Sequence, residues 1–292
     1  MNRTALFHRS ELLVGRAAME RMQQTRVILF GIGGVGSWTA EALIRSGIGH
    51  LTIVDSDCVC ITNANRQLQA IPANVGRVKV DELAVRLRGI NPDAVIVARR
   101  ELYDATTKDT FELESYDYVL DAIDSLSSKL GLIIQALERK VTLFSTMGAS
   151  GKLDPTRVRI GSIWESTGCP LARRIRKRLR HHDITADFKA VYSDEVLLNQ
   201  GPQAACGTGA CFCPQFVDDG SGAQEEAHEW CSSKAFINGS MVHVTATFGM
   251  CLASLVVNDV IAAAGAMPIE KGIQMPAGLA VDSPSDDDDL DK

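Results

Sequence analysis

RVILFGIGGVGSW, residues 26–38, decides how the rest of the chain is read. Four apolar residues, Val27 to Phe30, run straight into Gly31, Gly33, Gly34 and Gly36, and an amphipathic pattern follows over residues 37–44. That order predicts a strand, a tight turn and a helix. Gly31 can take the turn, Gly33 lets a pyrophosphate reach the backbone, and Gly36 lets the helix pack close to the strand. The N–H groups at the start of such a helix then face an anion. A glycine turn can also be purely structural, so its surroundings matter. LTIVD, residues 51–55, reads as the next strand and ends on Asp55, where a ribose-binding carboxylate belongs. The two segments together point to a nucleotide site.

The chain has 292 residues, 46% of them hydrophobic, enough for a sizeable core. A net charge of −6 gives no global pull toward nucleic acid, so any such contact must be local. Residues 1–13 lack the apolar stretch of a secretory signal, and eight cysteines in a chain this long are too few for a disulfide scaffold. A reducing, cytoplasmic setting is expected. Residues 241–258 contain no Asp, Glu, Lys or Arg, and the apolar character continues beyond Asp259 to Met267. That length is at the threshold for a membrane span. The segment holds His243, Thr245, Thr247, Ser254, Gly249 and Asn258 and lacks flanking anchors, which favours a buried helix or subunit interface over membrane contact.

Taken in order, residues 10–24 repeat at helical spacing with Leu12, Leu13, Ala17 and Met22 able to share a stripe, and Arg9 sits just ahead. After Asp55, SDCVCITNANRQL is polar and aperiodic, a loop at the carboxyl edge of a parallel strand, where ligands bind. Residues 76–89 predict a helix closed by Gly89 and Asn91-Pro92. VIVA (95–98), YVLDAID (118–124) and VTLFST (141–146) read as strands, with a weak helix near 106–113 and a stronger one at 126–139. The alternation predicts a Rossmann-like, doubly wound α/β fold with a mostly parallel sheet. Beyond Gly148 the composition changes. VRIGSIW (158–164) reads as a strand, ARRIRKRLRHH (172–182) as a basic helix, and residues 199–233 as a long Gly/Cys-rich loop. The expected division is a nucleotide-binding core at 1–150, a C-terminal substrate-binding and dimerisation portion at 151–267, and a disordered acidic tail at 268–292.

The chemistry is concentrated after Asp55. Asp57, Asn63, Asn65, Arg66, Gln67 and Lys79 place hydrogen-bonding groups and two cations beyond the ribose position, which suits a triphosphate better than a nicotinamide. Asp121 and Asp124, at the end of a predicted strand, can hold Mg²⁺. Asp124 can equally cap the helix that follows, and Arg66 and Lys79 can be ordinary surface cations.

GIGGVGSW, VDSDCVCITNANRQ, GRVKVDELAVRLRGINP and VLDAIDS together resemble the ThiF/MoeB adenylating family, which includes the ubiquitin-activating enzymes. DAIDS with Lys129, TMGASGKLDPTRVRI with the basic helix behind it, and VTATFG at 244–249 are most similar to its tRNA threonylcarbamoyladenosine dehydratase branch. The resemblance runs over about residues 5–265. It implies that Gly31, Gly33, Gly34 and Gly36 line the phosphates of ATP and Asp55 holds the ribose. Asp57, Asn63, Arg66, Gln67 and Lys79 would then surround the triphosphate. It assigns Asp124 to Mg²⁺ and Arg9 to the site of a neighbouring subunit, and so implies a homodimer. The implied reaction is ATP-dependent ring closure on a tRNA base through an acyl-adenylate.

Arg173, Arg174, Arg176, Lys177, Arg178 and Arg180 place six cations within eight positions of an acidic protein. This supports contact with tRNA phosphates independently of the resemblance, against the plainer reading of a solvated helix face. Trp164 and Phe188 are the nearby aromatics able to stack on a base. Cys206, Cys211, Cys213 and Cys231 lack the CxxC pairs of a zinc site. The alternative expectations are an activator of a ubiquitin-like sulfur-carrier protein, with sulfur-relay partners, and a non-catalytic nucleotide-binding module. The missing CxxC pairs and the basic helix disfavour the first.

Overall fold

The computed structural model describes residues 3–201 and 238–266. Cys206, Cys211, Cys213 and Cys231 and the acidic tail lie outside the described residues, as does most of the predicted 199–233 loop. Among the described residues the helices and strands are, in order, α1 (Arg3–Leu6), α2 (His8–Gln24), β1 (Arg26–Phe30), α3 (Gly36–Ser46), β2 (His50–Val54), α4 (Lys79–Ile90), β3 (Val95–Arg99), β4 (Tyr118–Asp121), α5 (Leu126–Glu138), β5 (Thr142–Thr146), β6 (Val158–Ser162), α6 (Pro170–His181), β7 (Lys189–Ser193) and α7 (Val242–Ala263).

The strands form one sheet in the order β3-β2-β1-β4-β5-β7-β6. All neighbours are parallel except β6, which runs antiparallel to β7 at the edge. Chain order reverses on either side of β1: β2 is its neighbour on one flank and β4 on the other. Such a switch point leaves a crevice at the carboxyl edge of the strands, and the glycine turn lies there. Both faces are covered. One apolar cluster joins Leu43 and Ile44 of α3, Leu83 and Leu87 of α4, and Phe248, Leu252 and Val256 of α7. The other joins Leu132 and Ile133 of α5 with Ala172, Ile175 and Leu179 of α6. The fold is thus the doubly wound α/β architecture expected, with the C-terminal half adding β6, β7 and α7 to the same sheet and core.

Helix α7 is the one described helix long and apolar enough to cross a membrane, with a mean hydropathy of 1.7. Its inner stripe packs on α3, and Gly249 makes that approach close. A Cβ there would lie 2.7 Å from Val35 O and 2.8 Å from Trp38 Cβ. Each of Phe248, Leu252 and Val256 is fully buried, worth about 1.5–3 kcal/mol apiece.

Three local expectations change. Leu12 and Leu13 are 73% and 70% exposed, and Val14, Ala18, Met19 and Met22 form the buried stripe of α2 instead. Gly15, at φ +77°, breaks the helix and shifts its phase, so periodicity counted across it misassigns the inner face. Near 106–113 the chain makes short 3₁₀ turns, Lys108–Phe111 and Leu113–Ser115, rather than an α-helix. There Phe111 packs edge-on against Phe30 at 5.0 Å, and tertiary contact overrides the weak helical pattern. Strand β7 adds an element that the pattern does not announce, because KAVYS is short and stands among loop residues.

Candidate active site at the carboxyl edge of the sheet

The glycine turn has the geometry its residues demand. Gly31 adopts φ +81°, a left-handed conformation that L side chains rarely enter, and a Cβ there would lie 2.8 Å from Ala122 O. A Cβ on Gly36 would meet Gly31 O at 1.9 Å, so α3 starts directly against the turn. Gly33 has only Gln67 Nε2 near it, at 3.8 Å from where a Cβ would stand, and Gly34 lies under the Arg66 stem, with Cγ at 3.0 Å. Ile32 N–H donates to Asp55 Oδ2 at 2.9 Å, and Asp57 N–H donates to Asp55 Oδ1 at 2.9 Å. Asp55 therefore ties the end of β2 to the turn. Each of its oxygens keeps a second lone pair for another donor.

Lys79, the first residue of α4, is buried with its ammonium 2.7 Å from Asp57 Oδ2 and 3.9 Å from Asp55 Oδ1. Burial opposes that charge, but Asp55 and Asp57 outweigh it and hold the Lys79 pKa above the ordinary lysine value. Burial likewise pushes the Asp55 carboxyl up, against the pull of Lys79. Arg66 is half-buried; its Nη1 donates to Thr62 O at 3.0 Å and Asn65 Oδ1 at 2.9 Å. Burial lowers its pKa, Asp124 opposes, and a guanidinium starts high enough to stay charged. Asp124 is exposed at the lip, and its field reaches both Arg66 and Lys79. The N-cap position of α5 is Ser125, one residue beyond Asp124.

Asp121 behaves differently from its neighbour in sequence. It is fully buried; Lys129 Nζ and Ser145 Oγ each donate to Oδ2 at 2.6 Å, and Ile123 N–H donates to Oδ1 at 3.0 Å. A carboxylate sealed in this way is turned from any ion in the crevice. Asp121 shapes the turn that presents Asp124, and of the two carboxylates expected at Mg²⁺ only Asp124 is exposed. Asn63 is also buried and accepts from Cys60 N–H at 3.1 Å, which shapes the 60–63 turn. Asn65 is exposed, and Gln67 is buried beneath Gly33.

The glycine turn, the carboxylate ending β2 and the Arg66, Lys79 and Asp124 set form one crevice, and the comparisons bear on its kind. A family model described as ThiF matches residues 7–264. The chain belongs to the ThiF family. It is 41% identical over 189 residues to the tRNA threonylcarbamoyladenosine dehydratase of Bacillus subtilis (strain 168), covering 65% of this chain and 74% of that one. It is 35% identical over 247 residues to the Escherichia coli (strain K12) protein of the same name, covering 83% and 88%. The solved structure of E. coli tRNA N6-threonylcarbamoyladenosine dehydratase in complex with ATP superposes with a TM-score of 0.75 at 30% identity, covering 90% of this chain and 96% of that one.

Elsewhere in this ThiF-family chain, the remaining predicted residues divide. Arg9 is exposed on α2. Its neighbour Phe7 packs by Gly47, at the C-terminal end of the 11-residue α3, about 16 Å from the glycine turn. The basic helix α6 begins just past β5, where Cys169 Sγ lies 3.5 Å from where a Gly148 Cβ would stand. Its inner face is Ala172, Ile175 and Leu179; Arg173, Arg174, Lys177, Arg178 and Arg180 are exposed. Arg176 is turned inward: it donates to Ser166 O at 2.6 Å and to the Ser166 hydroxyl. Arg180 stacks over Trp164 at 5.2 Å, and Phe188 is buried and offers no exposed face.

Sequence reading missed Ser145 and Gln69. Ser145 carried a signal, being a polar residue inside an apolar strand. Gln69 donates to Ile32 O at 2.9 Å from a buried position, and nothing in its local sequence sets it apart from a loop residue.

Proposed function

We propose that this protein is an ATP-dependent tRNA threonylcarbamoyladenosine dehydratase, which closes the threonylcarbamoyl group of the adenosine beside the anticodon into a ring. The observation that carries the reading is the convergence of Arg66, Lys79 and Asp124 on the Gly31–Gly36 turn, in a chain related over 83% of its length to a protein of that name.

In the first step a threonyl carboxylate oxygen attacks the α-phosphate, an acyl-adenylate forms and pyrophosphate leaves. In the second the carbamoyl nitrogen attacks the activated carbonyl, AMP carries off the carboxylate oxygen, and a proton is released. The nucleoside loses the elements of water. Asp55 takes the ribose, the glycine turn and the start of α3 take the phosphates, and Gln67, Asn63, Asn65 and Asp57 line the surroundings. Arg66 and Lys79 offset the charge that grows as pyrophosphate departs. Asp124 fits Mg²⁺, being an exposed carboxylate beside the phosphate turn, and this ion binds one or two carboxylates plus phosphate oxygens. Bound there, it would supply positive charge to the triphosphate. Such chemistry asks mainly for positioning, which suits a crevice rich in donors.

Arg173, Arg174, Lys177, Arg178 and Arg180 face tRNA phosphates, and Trp164 lies among them. The 151–267 portion thus receives the substrate and 1–150 activates it, in the cytoplasm where tRNA resides. The exposure of Arg9 on α2 supports its use in a partner's site within a homodimer, and Leu12 and Leu13 on the same helix offer apolar surface for that contact.

The test is pyrophosphate release with Mg-ATP and tRNA from cells able or unable to make the threonylcarbamoyl mark. Release with marked tRNA alone is expected. Release or ATP–pyrophosphate exchange only with a small carrier protein would replace this reading with the sulfur-carrier activator.

A further inference from the structure

Arg66 stands on a loop rather than on a helix or strand, so the aim of its long side chain depends on where its backbone is held. The loop is fixed to α3 at two points. Trp38 Nε1 donates to Arg66 O at 3.0 Å, and Leu68 N–H donates to Ser37 Oγ at 3.3 Å. Ser37 Oγ in turn donates to Gly33 O at 2.7 Å, inside the glycine turn. Trp38 itself has little freedom. Helix α7 approaches so closely that a Cβ on Gly249 would stand 2.8 Å from Trp38 Cβ, and Thr39 Oγ1, whose one proton is shared between Val35 O and Gly249 O at 3.2 Å each, links the two helices.

The consequence is a continuous mechanical path. Helix α7 fixes Trp38, Trp38 fixes the Arg66 carbonyl, and the Arg66 stem is thereby laid along Gly34. We propose that Trp38 is a positioning residue for the reaction: its indole N–H sets the Arg66 backbone so that the guanidinium lies over the phosphate turn. The proposal rests on the dehydratase reading only for the statement that Arg66 meets ATP phosphates. A guanidinium displaced by an ångström loses the aligned geometry on which its hydrogen bonds to phosphate depend.

Trp38→Phe removes the donor and keeps an aromatic ring in the space. Calorimetric titration of the full chain with Mg-ATP, for wild type, Trp38→Phe, Arg66→Ala and the double variant, separates positioning from general loosening. Losing one neutral hydrogen bond that aims a cation predicts an ATP affinity about three- to tenfold weaker for Trp38→Phe. In the Arg66→Ala background the same change should cost less than about twofold, because no guanidinium remains to be aimed. Equal losses in both backgrounds would make Trp38 a packing residue, and no loss in either would remove it from the site; both outcomes overturn the proposal. If Trp38→Phe folds poorly, Trp38→Met fills the space with a flexible apolar side chain, has no hydrogen-bond donor, and should show the same dependence on Arg66. The dehydratase reading fails by a different sign: wild type that binds ATP but releases no pyrophosphate with marked tRNA.

Discussion

Replacing Lys129 by Met removes an ammonium with zero exposed side-chain area and leaves Asp121, equally buried, as an uncompensated charge. Two of the three donors to the Asp121 carboxylate, Ser145 Oγ and Ile123 N–H, remain at 2.6 and 3.0 Å. They retain part of its solvation but none of the opposite charge. Breaking one side of such a pair costs about 3–5 kcal/mol. For a domain of this size each kcal/mol shifts Tm by roughly 2–4 °C, so Lys129→Met should melt roughly 6–20 °C below wild type. The double variant Lys129→Met with Asp121→Asn removes both charges, and the amide carbonyl that replaces the carboxylate can still accept from Ile123 N–H. It should recover more than half of the loss. The assay is urea unfolding followed by far-UV circular dichroism, with thermal melts in parallel. A single variant within about 1 kcal/mol of wild type, or a double variant no more stable than the single, would refute the reasoning and reopen Asp121 as a ligand of the crevice.

Asp124→Asn should abolish pyrophosphate release at ordinary Mg²⁺ concentrations while tRNA affinity, measured by filter binding, stays within about twofold; normal turnover would take Asp124 out of the Mg²⁺ role. Arg174→Ala with Arg178→Ala should weaken tRNA binding and reduce the slope of log K against log salt by about 1–2, and an unchanged slope would make α6 a solvated face. Glu41 is buried on α3, with Arg86 Nε at 2.6 Å and Arg45 as its second partner. Burial pushes its carboxyl up, but Arg86 and Arg45 outweigh it and hold it below the ordinary glutamate range. A carboxyl lowered by folding stabilises the protein above its unfolded pKa and stops doing so as pH falls through the folded value. Wild type should therefore lose stability more steeply than Glu41→Gln between about pH 5 and pH 3, read as urea midpoints, and parallel acid limbs would contradict it.

The sheet and its glycine turn were legible because their sequence rules are local. Val27 to Phe30 must be a strand, Gly31 must turn, and Gly36 must leave room, whatever the rest of the chain does. Asp55 followed from counting strands. What could not be read were facts that need a second, distant segment. Asp121 and Asp124 look alike in VLDAID, and only the return of Lys129 beneath β4 separates the buried one from the exposed one. Arg176 is indistinguishable from Arg174 in a run of cations until Ser166 is seen to draw it inward. The inner face of α2 depended on a break at Gly15 that periodicity counts straight through. Residues 241–258 read as a buried helix or interface in preference to a span, and the surface they pack on, Val35 and Trp38 facing Gly249, lies more than 200 residues earlier.

Oxygen transfer tests the acyl-adenylate directly. Marked tRNA carrying ¹⁸O in its threonyl carboxylate would be incubated with Mg-ATP and enzyme in ordinary water, and the nucleotide products analysed by mass spectrometry. If the carboxylate attacks the α-phosphate and AMP leaves on ring closure, one labelled oxygen appears in AMP for each ring formed, and pyrophosphate carries none. Label found instead in inorganic phosphate alongside ADP would place the attack at the γ-phosphate and contradict the adenylation account.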